Sequence, residues 1–111
     1  MKIKITLIIL LAILIIISSC KSPSSNQETD DLAKCLTEKG AKFYGASWCG
    51  HCKSQKELFK DSMQYVDYVE CTEKQQTCTA AGIRAYPTWI INDKVYEGVQ
   101  SLDKLKELTG C

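Results

Sequence analysis

The tightest constraint on this chain is a pair of cysteines, Cys49 and Cys52, placed where an apolar run gives way to a helix-like stretch. Ala41-Lys42-Phe43-Tyr44 reads as a strand and the residues from Cys49 onward as a helix, so the pair sits at a strand-to-helix handover. At a helix N-terminus, unsatisfied N–H groups and the macrodipole favour a thiolate, the form of cysteine that attacks disulfides. Cys49 is therefore the candidate nucleophile. Cys52, one turn on, is the resolving thiol that closes the ring and releases a mixed-disulfide partner. Half a zinc site has the same spacing. His51, the only histidine in the chain, and Cys71 could join such a set, but no second close cysteine pair accompanies them. Sulfur exchange is the reading adopted, with no metal and no cofactor, and a CxxC metal-binding chaperone or a silent adaptor is the alternative.

The surroundings of the pair narrow the reading further. Trp48 precedes it, Gly50-His51 fills it, Lys53 follows, and Gly82-Ile83-Arg84-Ala85-Tyr86-Pro87-Thr88 comes about one βα unit later. WCGHCK with GIRAYPT resembles the thioredoxin superfamily. The segments GAKFYGASWCGHC, QKELF, YVEC, AGIRAYPTWIIN and GVQSL with LTG resemble, more closely, the thioredoxin-like domain fused to bacterial and plant homologues of vitamin K epoxide reductase. The resemblance runs from about Asp30 to the C-terminus. It implies a thioredoxin-like α/β fold, a cis-proline at Pro87 packed against the redox cysteines, and a docking surface for substrate made by Trp48, Tyr86 and Pro87. It also implies an activity, relay of disulfides to exported proteins, with a membrane redox partner resembling vitamin K epoxide reductase. Reduction or isomerisation fed by a membrane electron donor is the alternative direction.

One departure from the family pattern bears on mechanism. Many relatives carry a buried acid six residues before the first cysteine, where it helps move the proton of the second thiol. Here that residue is Phe43, so deprotonation of Cys52 falls to water, to His51, or to a carboxylate such as Glu57 or Glu70. His51, beside the thiolate, can supply positive charge or a hydrogen-bond donor, which favours the reduced form and makes the disulfide a better oxidant.

Fourteen basic residues against thirteen acidic ones give a net charge of +1, so nothing in the balance points to nucleic acid or another polyanion. Seven cysteines in 111 residues suit an oxidising compartment. The N-terminus reads the same way. Lys2 and Lys4 precede an apolar run from Ile5 to Ile17, which is shorter than the roughly 20 residues of a spanning helix and has the form of a signal sequence. It ends in Ile17-Ser18-Ser19-Cys20, which resembles a bacterial lipobox. The expected organisation is a lipoprotein signal peptide over residues 1–19, a lipidated Cys20 opening a flexible tether over residues 20–29, and one domain over residues 30–111. The expected location is the bacterial cell envelope, lipid-anchored and facing the periplasm or exterior.

Along the domain, Leu32, Cys35 and Leu36 at helical spacing and Gly40 as a cap mark a first helix. The active-site helix is expected to run from Cys49 to Met63, with Leu58, Phe59 and Met63 toward the sheet. Tyr65 to Glu70 reads as a strand parallel to the first, because a helix connects them. Thr72 and Gln75 have capping-box spacing and predict a helix starting directly after Cys71 and ending at Gly82. Pro87–Ile91 and Val95–Glu97 form a hairpin about Asn92-Asp93, and Ser101 caps a last helix that ends at Gly110. The sum is a mixed sheet of about four strands with helices on both faces, lacking the usual extra N-terminal strand.

Apart from Cys20, Cys49 and Cys52, four cysteines remain, and four allow three pairings. The resemblance implies Cys71 with Cys78, which leaves Cys35 with Cys111. A regular helix from Cys71 to Cys78 would hold their Cα atoms roughly 10 Å apart, beyond a disulfide's span, so either residues Thr72 to Thr77 form a loop with a late helix start or this bond is absent, and the loop is the reading adopted. The second requires the tail of the last helix to wrap a sheet edge if first and last helices lie on opposite faces.

Overall fold

The computed structural model describes residues 1–15 and 24–111. Cys20 and the proposed cleavage site lie outside the described residues. The first helix, α1 (Lys2–Ile15), carries apolar side chains such as Ile3, Leu7 and Leu11 in the open. Among the described residues, no helix is long and apolar enough to cross a membrane.

The remaining elements are α2 (Ser25–Glu38), β1 (Lys42–Gly45), α3 (Gly50–Phe59) with a 3-10 turn over Lys60–Tyr65, β2 (Tyr68–Glu70), α4 (Gln75–Ala80), β3 (Thr88–Ile91), β4 (Lys94–Glu97) and α5 (Leu102–Thr109). The sheet order is β2-β1-β3-β4. β1 runs parallel to β2, the βαβ unit built around α3, and β3 runs antiparallel to both β1 and β4. Among the described residues no strand precedes β1. The thioredoxin-like arrangement expected from the sequence is present.

Strand alternation divides the core between two faces. Phe43 pairs with Trp89 across β1 and β3, and their rings stack at 5.1 Å. These two and Ile91 pack under Leu32, Ala33 and Leu36 of α2, Phe59 of α3 and Leu105 of α5. Tyr44 and Val69 point the other way and meet Cys71 and Cys78 beside α4. Three helices thus cover one face and one covers the other. The tail of α5 need not wrap an edge, because α2 and α5 share a face. Lys106 reaches Glu28 at 3.2 Å, and Cys35 is bonded to Cys111 with Cα atoms 6.0 Å apart.

Three boundaries differ from the sequence reading. α2 starts at Ser25, within the segment expected to be a tether, because Ser24 caps it by accepting from the Gln27 amide. An exposed polar turn needs a cap, not an apolar residue. α3 stops at Phe59, where Lys60 adopts φ 51° and the chain tightens into the 3-10 turn. On α3 the buried positions are Cys52, Gln55 and Phe59, and Leu58 is exposed. β2 starts at Tyr68, not Tyr65, because Tyr65 belongs to the 3-10 turn. α4 starts late, at Gln75, as the Cys71–Cys78 pairing requires, since the Thr72 hydroxyl donates to Glu70 at 2.8 Å and does not cap a helix. The intervening turn brings the Cα atoms of Cys71 and Cys78 to 5.7 Å, and the two are bonded.

Elsewhere the turns follow their residues. Asn92 and Asp93, at φ 52° and 63°, make the hairpin bend, a geometry Asn and Asp tolerate better than bulkier residues. Ser101 caps α5 by accepting from the Lys104 amide at 3.1 Å, and Gly110 closes it in the left-handed region.

Candidate active site

Cys49 is the N-cap of α3, and its sulfur accepts the Cys52 amide at 3.2 Å. An N-cap acceptor takes one of the donors that the first helical turn leaves unpaired, so the fold directs a polar N–H at Cys49 Sγ. Both cysteines are free thiols. They differ in setting, since Cys49 is 9% exposed and Cys52 is 1% exposed. Burial first, then the neighbouring Cys49, push the Cys52 thiol up to about 11, against the opposing pull of the Ala46 backbone and Lys56. The pair is therefore asymmetric. One sulfur sits at a helix N-terminus and is the less deeply buried, and the other is a fully buried thiol that holds its proton.

Trp48 is 73% exposed and meets Tyr86 edge to face, ring centroids 5.8 Å apart. Tyr86 packs against the core cluster that contains Cys49 and Cys52. The Tyr86–Pro87 peptide bond is cis, and Pro87 is buried at the entry to β3. Ala46, Trp48, Cys71, Thr72, Ile83 and Tyr86 line a groove of about 300 Å³ beside the cysteine loop. His51 is exposed on the first turn of α3 and makes no hydrogen bond to another described residue. Glu57 is likewise exposed on α3. Cys71, weighed as a metal ligand, has its sulfur in the bond to Cys78. Among the described residues no group of three or more His, Cys, Asp and Glu side chains is placed to hold a metal ion.

Residues 27–109 match the family described as Thioredoxin. The chain belongs to the thioredoxin family. Thiol-disulfide oxidoreductase LTO1 of Arabidopsis thaliana is 45% identical over 98 residues, covering 80% of this chain and 26% of that protein. Protein disulfide isomerase-like 2-2 of Oryza sativa subsp. japonica is 33% identical over 86 residues, 63% of this chain and 23% of that protein. The chain thus spans about a quarter of the length of these relatives. A solved structure described as that of a malarial protein shares the fold, with a TM-score of 0.52, 16% identity, and coverage of 61% of this chain and 89% of that one. The enzyme class read from the sequence, thiol–disulfide oxidoreductase, agrees with this thioredoxin domain and its free dithiol.

Two residues of the thioredoxin domain went unnoticed in the sequence. Gln55, fully buried, accepts from Trp89 Nε1 at 3.0 Å and from the Gln100 amide at 2.8 Å, and donates to the Gln100 carbonyl at 3.0 Å. It fastens α3 to β3 and to the segment before α5. Its signal was its spacing of three from Cys52 and four from Phe59, which puts it on the inward stripe. Tyr68 is the second. Its hydroxyl donates to Glu70 Oε2 at 2.7 Å, and Glu70 Oε1 accepts from the Ser47 amide at 3.0 Å and from the Thr72 amide and hydroxyl. Burial works to raise the Glu70 carboxyl, but these hydrogen bonds outweigh it and hold the group below its ordinary range.

Proposed function

We propose that this protein is an envelope thiol–disulfide oxidoreductase that donates disulfides to exported proteins and is reoxidised by a quinone-linked membrane partner resembling vitamin K epoxide reductase. The observation that carries the exchange chemistry is the asymmetric dithiol, with Cys49 capping α3 beside the apolar Trp48–Tyr86 edge and Cys52 buried behind it. In the donating direction a substrate thiolate attacks Cys49 Sγ of the oxidised pair. The Cys49–Cys52 bond breaks, Cys52 leaves with the electron pair and takes a proton, and a second substrate thiolate then displaces Cys49. The substrate is oxidised by two electrons and the dithiol is reduced. The groove beside Trp48 and Tyr86 would take an extended segment of the substrate chain.

His51 supports the donating direction. Reference potentials are about -270 mV for thioredoxin and about -180 mV for protein disulfide isomerase, and the latter carries Gly-His between its cysteines as this chain does. Equilibration with glutathione should place the Cys49–Cys52 couple well above thioredoxin, and His51→Pro should lower it. A wild-type value at or below -270 mV, or no movement on His51→Pro, would favour the reductase direction.

For location, the exposed apolar side chains of α1 after Lys2 and Lys4, with Ile17-Ser18-Ser19-Cys20 behind them, support a signal segment and a lipid anchor on Cys20. Membrane attachment then comes through the lipid. Intact-mass analysis should find acylated Cys20 at the mature N-terminus, and retention of Met1 would overturn this part.

A further inference from the structure

The sequence left the proton of Cys52 to water, to His51 or to a carboxylate such as Glu57 or Glu70, because Phe43 occupies the position from which a buried acid could take it. Phe43 is fully buried among rings and offers no lone pair. The structure brings a different group to the thiol. A Cβ built on Gly45 would stand 3.1 Å from the Tyr68 hydroxyl oxygen and 3.2 Å from Cys52 Sγ. The hydroxyl and the sulfur therefore flank one small space on β1, which exists because residue 45 has no side chain. The Tyr68 hydroxyl hydrogen is directed at Glu70 Oε2, 2.7 Å away, so the lone pairs of its oxygen are left for another donor. Glu70 is fixed in turn by Ser47 and Thr72. It is half-buried, within reach of solvent.

We infer that Tyr68 and Glu70 form a proton relay for Cys52, with Tyr68 receiving the thiol proton and Glu70 positioning Tyr68 and passing the charge to water. The inference rests on the exchange reading above. In the resolving step Cys52 Sγ attacks Cys49 Sγ of a mixed disulfide. The Cys49–Cys52 bond forms, the bond from Cys49 to the substrate sulfur breaks, and the substrate leaves as a thiolate. As Cys52 loses its proton to the Tyr68 oxygen, the Tyr68 proton moves to Glu70, which returns it to solvent. When a substrate thiolate opens the oxidised pair, the same path runs backward and protonates the departing Cys52. The charged and titratable groups that act on Cys52 are Cys49 at the N-cap and Lys56 on α3, and Tyr68 on β2, itself paired with Glu70, feels the charge of Cys52. Lys56 stands 4.1 Å over the Tyr68 ring, where its positive charge favours electron density on the phenol oxygen as the proton passes.

The test uses the full, reduced chain and 5,5′-dithiobis(2-nitrobenzoate), which releases one coloured thiolate when Cys49 attacks and a second when Cys52 resolves. Tyr68→Phe should slow the second release about tenfold or more near neutral pH, with the first release unchanged. The deficit should shrink as pH rises and solvent alone ionises Cys52. Glu70→Gln should slow the same step and add nothing in the Tyr68→Phe background. Gly45→Ala, which puts a methyl between hydroxyl and sulfur while leaving every titrating group in place, should do likewise. An unchanged second release in these variants, or one slowed equally at every pH, overturns the relay and leaves exchange standing. Failure of the wild type to release either thiolate would instead sink the exchange reading itself.

Discussion

At the scale of single residues, the two active-site sulfurs owe their difference to burial, and Cys52 gives that difference a thermodynamic signature. Its thiol is held from 9.0 up to about 11 in the folded protein. Below pH 9 it is protonated whether folded or unfolded, and its contribution to stability is complete. Between 9 and about 11 the unfolded chain releases the proton that the folded chain keeps, so stability falls with rising pH. A shift of this size corresponds to about 3 kcal/mol in full, of which about 2 kcal/mol is lost between pH 9 and 11. Urea titrations should show the reduced protein losing roughly that much more over this interval than Cys52→Ala does. Tyr68, held above its ordinary range by burial and by Glu70, adds a fall in the same direction to both proteins. The cysteines and Pro87 were legible in the sequence because spacing and neighbours mark them. Tyr68 was not, because β-rich Tyr-Val-Asp-Tyr-Val-Glu shows alternation but not which hydroxyl will face which sulfur. That depended on register, Tyr68 opposite Phe43 and Glu70 opposite Gly45, and on the missing side chain at Gly45.

At the scale of elements, the strands, the hairpin and α5 could be read directly, since Asn92-Asp93, Ser101 and Gly110 each have one strong conformational preference. The elements that moved are those decided by competition for a hydrogen bond. Thr72 could cap a helix or bind Glu70, and Glu70 also holds the Ser47 amide, so the carboxylate takes it and α4 starts three residues later. α2 shows the converse, a polar turn made helical by Ser24. Gln55 is the clearest case of an element held by one polar side chain. Gln55→Leu would keep the volume and leave Trp89 Nε1 and both backbone groups of Gln100 without partners. At about 1–3 kcal/mol for each buried group left unpaired, less any recovered by relaxation, the expected loss is about 3 kcal/mol in denaturant titration. A loss under about 1 kcal/mol would mean that Gln100 rotates to water and that Gln55 fastens little.

For the molecule as a whole, the unforeseen feature was the placement of α2 and α5 on one face. Helical periodicity tells which stripe of a helix is buried but not which side of the sheet receives it, and with no strand ahead of β1 among the described residues α2 is free to lie beside α5. That placement brings Cys35 and Cys111 together across a separation of 76 residues. By loop-closure entropy this bond is worth about 4.5 kcal/mol, against about 2.5 for the seven-residue Cys71–Cys78 loop. Replacing Cys35 and Cys111 together by Ser should therefore lower the midpoint of thermal unfolding more than replacing Cys71 and Cys78, and the reverse order would contradict the chain-entropy account. The same bond alters how the chain bears mechanical load. A pull applied ahead of Cys35 and at Cys111 crosses from one to the other through two sulfur atoms, and the sheet and both redox thiols lie in a covalent ring that carries no tension. A pull applied at those two ends would therefore extend only the residues ahead of Cys35, and the dithiol would keep its geometry until a reductant opened the ring.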